Sequence, residues 1–163
     1  MPIITTALSF ILAVFVGSTA NAQMVSTSEP VTASKYMAAT ANPYATDAAL
    51  EVLRAGGSAV DAAIAAQMVL TLVEPQSSGI GGGAFMMYYD AAKGTVDAYD
   101  GREMAPASAT ATMFMGADGE ALDFYDAVVG GLSVGVPGVI RMLELAHNER
   151  GKLPWKRLFQ PAI

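Results

Sequence analysis

The first 22 residues carry no charged side chain, and Ala7 to Val16 is an apolar run broken only by Ser9. Small residues at Ala20 and Ala22 follow with A-x-A spacing. This pattern predicts a secretory signal peptide over 1–22, cut before Gln23. The run falls short of the roughly 20 apolar residues that cross a bilayer, so no stable membrane insertion is expected. The segment departs from the usual pattern in one respect, because it holds no Lys or Arg before the apolar run. A buried N-terminal helix is the competing reading.

Beyond Met24–Ala41, which reads as a loop or short strand, the polarity pattern becomes helical. Asn42-Pro43 has an N-cap residue before a Pro suited to the first helical position. From Tyr44 to Arg54, Ala45, Ala49, Val52 and Leu53 form one apolar stripe, and Gly56-Gly57 stops the helix. Ser58 and Asp61 have capping-box spacing with Asp in place of Glu. Ala59 to Leu72 is nearly all apolar, which predicts a helix buried on all sides. Glu74-Pro75 ends it.

The pattern then changes period. Ala84–Asp90 reads as a strand, Ala91–Gly94 as a turn and Thr95–Asp100 as a second strand, so a β-hairpin is expected. Residues 107–127 read as loop with short helical turns. A Gly-rich stretch spans Gly130–Gly138. Val139–Arg150 reads as an amphipathic helix, with Ile140, Leu143, Leu145 and Ala146 as its apolar contributors, and Gly151 stops it. A last short helix is expected over Lys156–Phe159.

Composition narrows the chemistry. With no Cys, a disulfide scaffold, a Cys-based zinc site and a Cys nucleophile are excluded, and the single His147 excludes a His-rich metal site. The net charge of −6 argues against nucleic acid as a partner. Residues 141–163 hold five basic residues and two acids, which reads as a solvated helix face.

Few side chains offer a site. Gly79-x-Gly81-x-x-Ala84 has the form of a dinucleotide fingerprint, but a helix precedes it and a strand follows, the reverse of what the fingerprint requires. Ser77 and Ser78 have no base nearby. His147 reads as a surface residue, and Trp155 and the Met residues as core packing. Arg102 stands at a strand end beside Gly101. Its planar fork suits a substrate carboxylate, or alternatively an ion pair with Glu103 or Asp100. The residues alone thus give a secreted α/β domain with tight Gly-rich loops and no complete catalytic set.

Five segments, in order, resemble one family. Leu53-Arg54-Ala55-Gly56-Gly57-Ser58-Ala59-Val60-Asp61-Ala62-Ala63 is similar to the LRAGGNAVDAA segment of γ-glutamyltranspeptidases, and Val73–Gly83 to their VEPxSSGIGGG loop. Asp100-Gly101-Arg102-Glu103-Met104-Ala105-Pro106 resembles DGRETAP, with Met104 for the common Thr. Ala84 stands for a common Gly. Gly131–Gly138 and Gly151-Lys152-Leu153-Pro154-Trp155 match as well, so the resemblance covers about residues 36–163.

The resemblance implies an α+β, four-layer αββα N-terminal-nucleophile hydrolase fold, incomplete in this chain and therefore expected to expose apolar faces. Residues 23–163 are then the first portion of a large subunit, and a small subunit from the same exported precursor is its partner. The family's Thr nucleophile attacks the γ-carbonyl of glutathione or a related γ-glutamyl compound, using its own α-amine as base and no cofactor or metal. Water or an amino acid then takes the γ-glutamyl group. That Thr belongs to the small subunit and is expected beyond Ile163, so the chain alone is expected to be inactive. The family Arg that grips the donor α-carboxylate corresponds to Arg102. A periplasmic or secreted location is implied. A β-lactam (cephalosporin) acylase of the same family and a non-catalytic secreted binding module are the alternatives.

Overall fold

The computed structural model describes residues 30–163. The predicted signal peptide and its cleavage site lie outside them. The chain divides into units 1–32 and 33–163, and every element below belongs to the second.

Helix α1 (Pro43–Arg54) begins where the sequence places it. The Asn42 side chain accepts the Tyr44 N–H at 3.1 Å, and Pro43 occupies the first turn. The helix ends at Ala55, and Gly56 takes φ +89°, a left-handed conformation that a side chain would strain. Helix α2 (Ala59–Val73) opens with the expected capping box: Asp61 N–H donates to Ser58 Oγ and Ser58 N–H to Asp61 Oδ2. The two helices pack as a hairpin through Ala45, Ala48, Ala49 and Val52 against Val60, Ile64 and their neighbours. Burying a side chain such as Ile64, which is fully enclosed, is worth about 1.5–3 kcal/mol. Helix α2 is not buried all round, however. Ala63 and Leu72 face solvent, because α1, the helix over Val139–Arg150 and the terminal helix over Trp155–Ala162 cover only part of its circumference.

Strands β1 (Phe85–Asp90) and β2 (Thr95–Asp100) form an antiparallel two-stranded sheet pairing Phe85 with Asp100 and Asp90 with Thr95. Ala84 and Gly101 exchange two backbone hydrogen bonds, of 3.2 and 2.9 Å, and so carry the pairing one step beyond the strands. The inward face sets Tyr99 into the core with Met86 and Tyr88 against it. The outward face exposes Phe85, Met87, Tyr89 and Val96 by more than half each. A sheet apolar on both faces has the pattern of a strand pair covered on both sides, and the described residues cover one.

From Met104 to Val136 the chain leaves the helical body and returns, closed by the bridge between those two residues. The short helix α3 (Phe124–Val128) forms within this excursion, at the end of the stretch read as loop with short helical turns, and it buries no side chain. Helix α4 (Val139–Arg150) then packs Val139, Met142, Leu143 and Ala146 into the core. Leu145, expected on this face, is 48 % exposed, and Met142 takes its place against Gly101. Several other methionines expected in the core, including Met87 and Met104, are also exposed. The chain closes with a 3₁₀ helix (Trp155–Ala162), longer than predicted and passing through Pro161. The proline ring fixes φ close to the 3₁₀ value, so it need not end this helix.

Candidate functional site

Arg102 lies two residues past β2, and its placement follows from the glycine before it. A Cβ at Gly101 would stand 2.6 Å from Met142 Cβ and 3.2 Å from Ala84 O, so only glycine lets the hairpin end lie against α4. Asp100 turns back to accept the Arg102 backbone N–H on Oδ1 at 2.9 Å. That bond uses the Asp100 carboxylate on the main chain. No ion pair joins the Arg102 guanidinium to any other described residue, so the predicted alternative of a salt bridge to Glu103 or Asp100 is not what forms. The Glu103 side chain instead lies against Gly83 and Gly135.

Arg102 lines a cavity of about 260 Å³ with Pro137, Gly138, Arg141, Met142 and Leu145. Its wall is the first turns of α4, whose N-terminus has Gly138 at the cap and no side-chain cap or acid in the first turn. The first N–H groups of that helix, from Gly138 and Val139, donate to Gly82 O at 3.1 and 3.2 Å, so the cavity's charge comes from its side chains: two guanidinium groups against the single carboxylate of Asp100, a balance that favours an anion. A larger cavity, of about 530 Å³, lies between Tyr36–Thr40 and the helical hairpin. Its lining is small and apolar apart from Tyr36, Thr40 and Gln67, with no charged group. The smaller cavity is thus the one with binding chemistry.

Other predicted candidates fall elsewhere. Ser78 Oγ accepts from Gln67 Nε2 at 2.7 Å, and no base approaches it. Residues 76–83 run from α2 to β1 in turns, so the strand–loop–helix context of a dinucleotide site is lacking there.

His147 is not the surface residue expected from sequence. Its side chain is 15 % exposed, packs on the Trp155 ring with centroids 5.2 Å apart, and brings Nε2 within 2.8 Å of Leu153 O and 3.6 Å of Asp61 Oδ1. Asp61 itself is fully buried and collects the backbone N–H groups of Ser58, Lys152 and Leu153 on Oδ2. This group fastens the start of α2 to the segment after α4. It opens into no described cavity and reads as architecture. Sequence spacing showed the capping box but not the bonds from Lys152 and Leu153.

Arg150 also departs from the predicted solvated face. It reaches Asp90 at 3.2 Å and Asp97 at 2.5 Å, one on each strand, and lies over the Tyr88 ring at 4.8 Å. Beside it, Tyr99 donates to Glu149 at 2.7 Å. Burial raises the Tyr99 pKa above its usual value, and the neighbouring Glu149 carboxylate raises it further. The C-terminal turn of α4 thus grips the hairpin whose far end presents Arg102.

Comparison with known proteins gives the family. The family model described as Gamma-glutamyltranspeptidase matches residues 45–163. The glutathione hydrolase proenzyme of Bacillus subtilis (strain 168) is 46 % identical over 127 residues, which are 78 % of this chain and 22 % of that protein. Glutathione hydrolase 2 of Arabidopsis thaliana is 52 % identical over 111 residues, covering 68 % of this chain and 18 % of its own length. In three dimensions the fold is similar to the γ-glutamyltranspeptidase from Pseudomonas nitroreducens complexed with L-DON. The TM-score is 0.75 at 39 % identity, over 80 % of this chain and 38 % of that one. The chain spans about a fifth of the length of the curated relatives it matches. On its matched residues, its motifs and its fold, this chain belongs to the γ-glutamyltranspeptidase family.

Proposed function

We propose that this chain supplies the donor-gripping part of an exported γ-glutamyltransferase or glutathione hydrolase. The observation that carries the reading is the Arg102 guanidinium, which lines the positive cavity without an ion-pair partner among the described residues. A forked guanidinium holds a carboxylate by two parallel charge-assisted hydrogen bonds. The α-carboxylate of a γ-glutamyl donor is such a group, and gripping it fixes where the γ-carbonyl lies. The attacking hydroxyl is that of a Thr heading a small subunit cut from the same precursor. It forms a γ-glutamyl ester and expels the amine, and water or an amino acid then takes the acyl group. The segment 1–22 directs the precursor to the periplasm or outside the cell, and relatives named proenzymes support processing. The glutathione hydrolase names of the relatives favour this reading over a β-lactam acylase.

The test replaces Arg102 in the active enzyme and follows release of nitroaniline from γ-glutamyl-p-nitroanilide. Arg102→Ala removes two charged hydrogen bonds. KM is expected to rise by one to two orders of magnitude, from about 1.5–3 kcal/mol of lost binding. Arg102→Lys keeps the charge and loses the fork, and is expected to fall between. An unchanged KM in Arg102→Ala would refute the assignment.

A further inference from the structure

Arg102 is not the only guanidinium on its cavity. Arg141, in the first turn of α4, lines the same space, and gripping one donor carboxylate leaves it without a role. Its present partner is Glu144, three residues along the helix, with side-chain exposures of 80 % and 46 %. An exposed pair of this kind is weak, because water screens it and two long side chains lose freedom in forming it. A ligand carboxylate can take the place of Glu144 at little cost, since the fork offers five N–H donors.

Size points the same way. The cavity, at about 260 Å³, falls below the roughly 300–1,000 Å³ of sites that enclose a drug-sized ligand. It has room for an amino-acid head group. The remainder of a γ-glutamyl peptide can then extend across the rim to which Arg141 belongs, with Met142 and Leu145 as the apolar wall. The opposing charges nearby are Asp100, already bonded to the Arg102 main chain, and Glu144 itself.

We infer that Arg141 binds a second carboxylate of the donor, so that the site prefers γ-glutamyl compounds bearing an anionic group beyond the amide that is broken. The inference rests on the proposed role of Arg102. Arg141 is therefore a specificity residue for γ-glutamyl peptides against γ-glutamyl amides of neutral amines.

The experiment compares two donors in the active enzyme, with water as the only acceptor. Glutathione carries the second carboxylate and γ-glutamyl-p-nitroanilide lacks it. Arg141→Gln is expected to raise the ratio of glutathione KM to anilide KM about tenfold, the loss of one charge-assisted contact. Glu144→Gln frees Arg141 and is expected to move that ratio the opposite way. Where turnover is too slow, calorimetric affinities for the two compounds give the same ratio. A ratio in Arg141→Gln equal to that of the unaltered enzyme overturns the inference and leaves Arg102 in its role. If Arg102→Ala instead leaves both donors unaffected, the donor-site reading itself fails and the inference falls with it.

Discussion

Replacing Asp61 by alanine tests the packing argument at its most demanding point. The carboxylate is fully buried. Its Oδ2 accepts three backbone N–H groups, from Ser58 at 2.8 Å, Lys152 at 2.9 Å and Leu153 at 3.1 Å. Loss of the capping bond costs about 1 kcal/mol. The other two are hydrogen bonds to a charged acceptor, each worth about 1.5–3 kcal/mol when the donor is left unpaired. Against these stands relief of a buried charge whose Oδ1 has no hydrogen-bond partner. The net expectation is a loss of about 3–5 kcal/mol, the usual range when one partner of a buried charged contact is removed. Urea unfolding followed by far-ultraviolet circular dichroism reads this directly. With a slope of about 1–3 kcal/mol per molar, the midpoint falls by roughly 2 M. Asp61→Asn keeps one carbonyl acceptor and is expected to lose less. If Asp61→Ala costs under about 1 kcal/mol, the carboxylate does not fasten α2 to the segment after α4.

Two further predictions concern the hairpin. Gly101→Ala places a Cβ 2.6 Å from Met142 Cβ and 3.2 Å from Ala84 O, which must push the hairpin end from α4. Overpacking of this kind costs about 1–3 kcal/mol, and the displaced Arg102 is expected to raise the donor KM as well, so urea unfolding and steady-state kinetics should move together. Tyr99 has its pKa raised by burial and then by Glu149. A raised pKa means the native state holds its proton more tightly, so this contribution is full below the unfolded value and lost as pH climbs through the folded one. Melting temperatures taken from about pH 9 to 11 should therefore fall more steeply in the unaltered protein than in Tyr99→Phe, and equal slopes would contradict the burial argument.

What the sequence determined by itself was local. Asn42-Pro43 and Gly56 fix where α1 begins and ends, and the Ser58–Asp61 box and Glu74-Pro75 do the same for α2, because each acts on backbone groups within one turn. The apolar, aromatic run over 84–90, the turn at 91–94 and the alternation over 95–100 marked the hairpin for the same reason. Motif order carried the family, since five short segments in register are jointly specific. Tertiary structure decided the fate of every polar side chain whose partner is distant in sequence. His147 and Arg150 look like solvent-facing helix residues in any local window, and only the approach of Asp61 and of both hairpin strands draws them inward. Leu145 is left outside while Met142 is buried, as core packing required, because the glycine at 101 brings the hairpin to one side of α4. Arg102 was visible as a candidate from its motif. That it shares a cavity with Arg141 was not, because no spacing rule relates a strand end to the start of a later helix until the chain has packed.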